Sequence, residues 1–398
     1  MRRAVPLTLG SAALGLDAFV VAGILPVISA DLHASVSAVG QMVTVFTLSY
    51  ALLAPLCAAA AAGRPLRTVL LLALLVFTAG NVLTAVSSSL PLLLGARALA
   101  GVGAGLYSPM AAAAAAGLVA PERRGRALAM ITGGMSTGVV LGVPLGLVLA
   151  QHAGWRSTMW LVVALTALAF AGIALYLPNV QAAAAPSVRA RLGAMADRSV
   201  VAVALVTLAG SIASIGTYTY VSQLLGRTLH TSQITPDLWA WGLGGLLGSF
   251  AIGQLVDRWR DTRALVSTVL GILGTVLALL PLLGQQALGA GLLLFVWGAV
   301  GWSQVAPQQH RMLKLRPDDG TGAVSLNSSA TYLGNAIGSA VGGVLLGCGL
   351  SPLGLPLILG VLALLGAVAN LVWTPAAPAK DTGVGVTGPA RGVPVDRP

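Results

Sequence analysis

Two stretches of this chain, residues 264–310 and 320–379, contain no Asp, Glu, Lys or Arg. About 20 apolar residues in a helix span the hydrocarbon core of a bilayer, so each stretch has room for two crossings and a turn. The rest of the chain repeats the pattern. Its 398 residues are 57% hydrophobic before the 50 glycines are counted, and only 8% are charged. Soluble domains carry about 25% charged residues. The polar surface of a soluble body this size cannot be built from so few charges, and the sequence predicts an all-α integral membrane protein.

The same composition excludes other classes. The net charge of +11 comes from short basic clusters between apolar runs, which fits membrane orientation better than nucleic-acid binding. Cys57 and Cys348 lie within apolar runs, and His33, His152, His230 and His310 are scattered. Neither set has metal-ligand spacing or forms a disulfide framework. No Ser-His-Asp or paired-carboxylate arrangement suggests catalysis, and no metal or cofactor is expected.

Apolar segments fall at about 6–28, 40–62, 68–88, 91–116, 127–150, 157–178, 199–224, 238–256, 264–283, 286–308, 321–347 and 352–374, giving twelve spans. The first resembles a secretory signal, with Arg2, Arg3 and an apolar run. That run is too long for a signal and carries Asp17 at its middle, so it reads as an uncleaved span. With the N-terminus in the cytoplasm, the inner segments hold 19 of the 22 basic residues, and the outer loops hold only Arg156 and Arg227. This asymmetry orients the chain with both termini inside, and since one missed or extra span would scramble the alternation it also supports the number twelve. The expected organisation is a six-helix half over 1–178, a cytoplasmic connection at 179–198, a second half over 199–374 and a disordered cytoplasmic tail at 375–398. Two halves of equal span number suggest a duplicated transporter with its site between them.

Three motifs sharpen this reading. The fourth span carries Arg97 followed by Gly101, Gly103 and Gly105. The fifth carries Gly138, Gly142, Pro144 and Gly146, then Gly154-Trp155-Arg156. The turn after the eighth carries Gly253, Asp257, Arg258 and Arg260. Glycines every fourth residue line one helix face and admit a neighbouring backbone, and Pro144 can bend its helix. Together the motifs resemble the major facilitator superfamily, specifically its twelve-span drug:proton antiporter branch and the arabinose-efflux-permease-like group. The resemblance covers about residues 5–374. It implies a twelve-helix fold in two pseudo-symmetric halves, packing by Gly138, Gly142, Pro144 and Gly146, and cytoplasmic gating by Arg64, Arg67, Asp257 and Arg258. One departure stands out. The turn between the second and third spans reads Ala59-Ala-Ala-Ala-Gly63-Arg64, without the family's acid, so a latch there is asymmetric.

Asp17 and Arg97 are the two ionisable residues well inside spans. A charge at such depth costs about 2.5–3.5 kcal/mol on insertion scales and needs a partner or a cavity. Their depths differ by only several ångströms, within reach of an arginine. They are expected to couple protons, the alternative being a static ion pair. For Arg97 the resemblance supports the coupling role, whereas relatives more often carry Glu near the position of Asp17. Candidate cavity residues are Ser214 and Tyr218 on one face of the seventh span with Ser211, Trp297 and Gln304 in the tenth, and Gln41, Asn81, Tyr107, Met130 and Asn327. Each has an alternative reading as helix packing or an interfacial aromatic. Trp239 and Trp241 read as an outer aromatic belt.

The expected function is efflux of a small, largely apolar compound in exchange for protons. The expected partners are the small-molecule substrate, protons and the lipid bilayer, and no nucleic acid. A monomer in a bacterial inner membrane is expected. A sugar or metabolite exporter of the same fold is the first rival. A membrane receptor would call for a large extramembrane domain, and a membrane enzyme for a catalytic cluster.

Overall fold

The computed structural model describes residues 4–60, 63–120, 123–178, 193, 195–229, 234–259, 261–316 and 320–374, without the side chains of 54–60, 257 and 320–322. Residues 179–192 and 194 of the 179–198 connection and the whole 375–398 tail lie outside the described residues. Twelve helical spans account for the rest: α1 (Val5–Asp31), α2 (Val36–Ala60), α3 (Leu66–Ala85), α4 (Leu90–Gly117), α5 (Arg124–Ala153), α6 (Trp155–Tyr176), α7 (Arg198–Thr219), α8 (Thr235–Arg258), α9 (Thr262–Leu283), α10 (Ala287–Leu315), α11 (Gly320–Gly347) and α12 (Gly354–Trp373). Eleven are long and apolar enough to cross a membrane among the described residues. The twelfth, α11, carries Ser325, Asn327, Ser328, Ser329, Thr331 and Asn335, which lower its hydropathy without interrupting its helix.

Local chemistry sets the ends and breaks. The side chains of Asp197 and Asp261 each accept a hydrogen bond from the backbone N–H two residues on, both at 2.9 Å, capping α7 and α9. α5 passes into α6 with no loop, through Gly154 at φ +78°, a left-handed conformation that suits only glycine. Inside α5, residues Gly138–Gly142 form a π-turn just before Pro144. Proline has no N–H to offer the carbonyl four residues back, and its ring crowds that carbonyl; the wider turn accommodates both. α10 breaks at Gln304, three residues before Pro307, for the same reason. α7 bends at Tyr220 and continues as Val221–Thr228.

The two halves repeat one packing plan. In the first half α1 packs on α5 and α6, α3 on α4 and α6, and α2 on α4; α7–α12 repeat every one of these pairs six helices later. The repetition holds to the residue. Gly134 and Gly138 of α5 lie against the carbonyls of Thr8 and Ala12 in α1, and Gly334 and Gly338 of α11 lie against those of Leu208 and Ile212 in α7, each position 200 residues on. A side chain at any of the four would run into backbone, so the glycines fix how closely the helices approach.

The halves meet through α2 with α11, α5 with α8, and α1 with α7. Specific contacts concentrate towards the end that the charge pattern assigns to the outside. The Tyr220 ring wedges between Gly40 of α2 and Gly342 and Gly343 of α11, and its hydroxyl donates to the Ser339 carbonyl at 2.9 Å. The Ser339 hydroxyl donates in turn to the Gly40 carbonyl at 3.3 Å. Near mid-depth, Tyr50 of α2 stacks on Tyr332 of α11 with ring centroids 3.6 Å apart.

Candidate functional site

Asp17 and Arg97 meet. Arg97 donates from one terminal nitrogen to Asp17 Oδ1 at 2.7 Å, and both side chains are almost wholly buried, Arg97 1% and Asp17 0% exposed. Glycines create this meeting. The face of α1 formed by Thr8, Ala12, Leu16 and Val20 lies on the α5 stripe Gly134, Gly138, Gly142 and Gly146, which leaves the adjacent Asp17 turned to α4. On α4, Gly101 admits the Phe46 carbonyl of α2, and the Phe46 ring sits 4.5 Å from the Arg97 guanidinium carbon. Gly103 and Gly80 bring α3 equally close, and Asn81 Oδ1 accepts a second bond from Arg97 at 3.5 Å. Asn81 is fully buried, its amide nitrogen tied to the Phe77 carbonyl at 3.1 Å. Asp17 Oδ2 and Arg97 Nε remain without a protein partner. The position 200 residues after Asp17 is Thr217, so the charged pair belongs to the first half alone.

The second half presents a neutral face instead. Along α7, Thr207, Ser211, Ser214 and Tyr218 lie on one side. Thr207 donates to Asn327 Oδ1 at 2.7 Å, Gln304 Nε2 donates to the Ser211 hydroxyl at 3.5 Å, and Trp297 Nε1 donates to the Ser214 hydroxyl at 3.0 Å. The Tyr218 hydroxyl reaches across to the Phe19 carbonyl of α1 at 3.2 Å. Five rings gather here. Tyr218 stacks on Trp241 at 4.1 Å, Trp297 stands edge-on to both, and Phe19 and Trp302 pack on Trp241 at 5.5 and 5.8 Å. Trp241 is therefore interior and fully buried, which corrects its reading as part of an outer belt; Trp239 is 45% exposed. Gly298 of α10 lets the Trp241 backbone approach, as Gly101 does for Phe46.

The remaining candidates are dispersed. Gln41 lies against Gly343 at the outer end of the interface between the halves. Tyr107 is fully buried with its hydroxyl donating to the Leu7 carbonyl at 2.8 Å, fastening α4 to α1. Met130 is half-buried on α5. Of the gating candidates, Arg67 donates to the Ala174 carbonyl near the C-terminal end of α6, Arg64 and Arg258 are exposed, and the side chain of Asp257 lies outside the described residues. Trp155 and Arg156 have a clear geometric role. Both donate to Asp31 Oδ2 at the end of α1, at 3.2 and 2.8 Å, and Arg156 also donates to the Ser87 carbonyl after α3 at 2.9 Å. Residues that sequence reasoning missed are Phe19, Phe46, Tyr50, Trp302 and Tyr332, all of them aromatic.

The Major Facilitator Superfamily profile matches residues 7–314. The chain belongs to that superfamily. It is thus a transporter rather than an enzyme, and a multi-pass membrane protein. It is similar to the inner membrane transport protein YdhP of Escherichia coli (strain K12), 28% identical over 86% of this chain and 88% of the relative. It is also similar to a chloramphenicol resistance protein of Streptomyces lividans, 30% identical over 93% of this chain and 96% of the relative. A probable sugar efflux transporter of Mannheimia succiniciproducens is 27% identical over 89% and 88%. Among solved structures, a D-xylose–proton symporter matches with a TM-score of 0.75 at 16% identity, covering 95% of this chain and 99% of that one, which shows the fold.

Proposed function

We propose that the chain is a proton-coupled exporter of a small, largely apolar compound, working as a monomer in a bacterial inner membrane with both termini in the cytoplasm. The observation that carries this reading is the buried Asp17–Arg97 pair, joining α1 to α4 beside the interface between the halves. Protonating Asp17 cancels the anion and leaves Arg97 buried as an uncompensated cation, which is costly. Proton binding therefore strains the arrangement that holds α1 on α4. Contacts concentrated at the outer end support a state open toward the cytoplasm, where cargo loads. In the cycle, a proton arriving from outside releases the pair, and its departure inward restores it. The first and second halves, 1–178 and 199–374, rock about this site, and residues 64, 67, 257 and 258 serve the cytoplasmic closure.

The chloramphenicol resistance relative supports a drug-like cargo. The sugar efflux relative and the hydroxyls of α7 favour sugar as the second reading, but the five rings beside those hydroxyls suit a less polar compound.

Proteoliposomes with chloramphenicol as cargo test the coupling. The wild type is expected to accumulate it against its gradient under an imposed pH difference. Asp17→Asn should abolish accumulation while keeping downhill exchange. Uphill accumulation by Asp17→Asn removes Asp17 from the mechanism, and recovery of it by Asp17→Asn/Arg97→Gln makes the pair a static brace.

A further inference from the structure

Arg97 is held by more than its carboxylate, and the arrangement around it is lopsided. Both of its hydrogen bonds among the described residues leave from one terminal nitrogen, to Asp17 Oδ1 at 2.7 Å and to Asn81 Oδ1 at 3.5 Å. Arg97 Nε and Asp17 Oδ2 take no part. A fixed brace between arginine and a carboxylate is best made with two parallel N–H donors. Here a single arm makes it, and the guanidinium carbon lies over the Phe46 ring, 4.5 Å from its centroid. Phe46 is set there by Gly101, one turn along α4 from Arg97, which admits the Phe46 carbonyl. Phe46 is 4% and Arg97 1% exposed, so the contact is desolvated. Any apolar side chain would fill that space, but only an aromatic one turns a negative face to a cation.

The ring matters most when Asp17 is neutral. α4 packs on α1, α2, α3 and α5. Against Arg97 they present Asp17 from α1, Phe46 from α2 and Asn81 from α3, and α5 carries no charged residue from Ala127 to Gln151. The other acids of the first half, Asp31 and Glu122, lie at the end of α1 and before α5. Once Asp17 takes a proton, no anion is left beside the guanidinium, and the ring and the Asn81 oxygen are what remain to hold it. A desolvated cation–π contact favours the held position about 30-fold.

We infer that Phe46 is a positioning residue for proton coupling: its ring holds the Arg97 cation in place while protonated Asp17 has let go, so that the same guanidinium is at hand to pair with the carboxylate when the proton leaves. The inference rests on the exporter reading for the cycle, in which Asp17 gains and loses a proton. It separates two jobs within the site. Asp17 carries the proton, and Phe46 keeps the counter-charge from moving away during the interval when nothing negative retains it.

Fluorination of the ring tests this. Phe46 is replaced in turn by mono-, di- and trifluorophenylalanine; each fluorine draws electron density off the ring face and weakens its hold on a cation with little change of shape. Purified full-length protein is melted in detergent in three backgrounds: wild type, Asp17→Asn as a mimic of the protonated acid, and Asp17→Asn/Arg97→Gln. The melting temperature should fall stepwise with fluorination, at least about twice as far in Asp17→Asn as in the wild type, and stay level once Arg97 is replaced. In proteoliposomes under an imposed pH difference, the trifluoro variant should slow uphill accumulation of chloramphenicol at least about fivefold and leave downhill exchange within about twofold. Equal falls in the wild type and Asp17→Asn, or a fall that persists with Arg97→Gln, make Phe46 a packing residue and overturn the inference. So does a flat series, or unchanged uphill accumulation by the trifluoro variant. The melting series uses neither cargo nor gradient, whereas the coupling role of Asp17 fails if Asp17→Asn accumulates cargo uphill, so the two can fail separately.

Discussion

The glycine stripe makes unequal demands along its length, and alanine substitutions should expose the inequality. A methyl on Gly138 would lie 2.7 Å from the Ala12 carbonyl carbon and 2.9 Å from the Leu16 nitrogen, both backbone atoms. Carbon atoms in ordinary contact are about 3.5–4.0 Å apart, so α1 and α5 would have to part by about 1 Å. Overpacking of this kind costs about 1–3 kcal/mol, and here no side chain can yield instead. Asp17 directly follows Leu16 on α1, so the same displacement disturbs the 2.7 Å Asp17–Arg97 contact. A methyl on Gly142 meets only the Leu16 side chain, 3.1 Å from its Cβ, which a shift of about 0.4 Å relieves. Gly138→Ala is therefore expected to lower the melting temperature of the purified protein and cut proton-driven transport at least about tenfold. Gly142→Ala should change either by little. Both are measured by thermal unfolding in detergent and by efflux from proteoliposomes. Equal behaviour of the two variants, or normal transport by Gly138→Ala, would refute the claim that backbone contact between α1 and α5 sets the charged pair.

Two further outcomes follow from the ends of the spans. Gly40→Val should jam its new side chain against the Tyr220 ring and slow transport at least about tenfold by holding the outer side open, and Tyr220→Leu added to it should restore part of the rate; normal transport by Gly40→Val would refute that closure. In a Cys57→Ser/Cys348→Ser background, an impermeant thiol reagent applied to intact cells should label Ser351→Cys and not Lys314→Cys, and the reverse result would invert the orientation.

The architecture was legible because lipid leaves so few options. Uninterrupted apolar runs must be helices, and the predicted ends fall within about five residues of the observed ones except at α10, which runs on to Leu315 where 308 was expected. Asp17 and Arg97 were legible for the same reason, since a lone charge in such a run has to find a partner. The aromatic cluster was not. In a soluble helix Phe46 or Trp241 would advertise an interior face by contrast with polar neighbours, but a membrane helix is apolar on its lipid side too. Nothing in the apolar runs around Phe19 and Phe46 separates a ring facing lipid from one facing another helix. The breaks at Tyr220 and Gln304 were also missed, because hydropathy averages over them. Only Pro307 hinted at the second.

α1 carries more than its own share of the assembly. Along its length it is seated on the glycine stripe of α5, and through Asp17 it is tied to α4. Two residues further, Phe19 accepts the hydroxyl of Tyr218 and touches Trp241 and Trp302 in the opposite half. A helix so stiffly backed cannot absorb a disturbance locally. Any tilt or roll that follows release of the Asp17 carboxylate arrives at the Phe19 ring almost undiminished, about 3 Å further along the axis. In the proposed cycle the helix would serve as a short lever, with the glycine stripe as its bearing, the carboxylate on one arm and the aromatic cluster of the other half on the second.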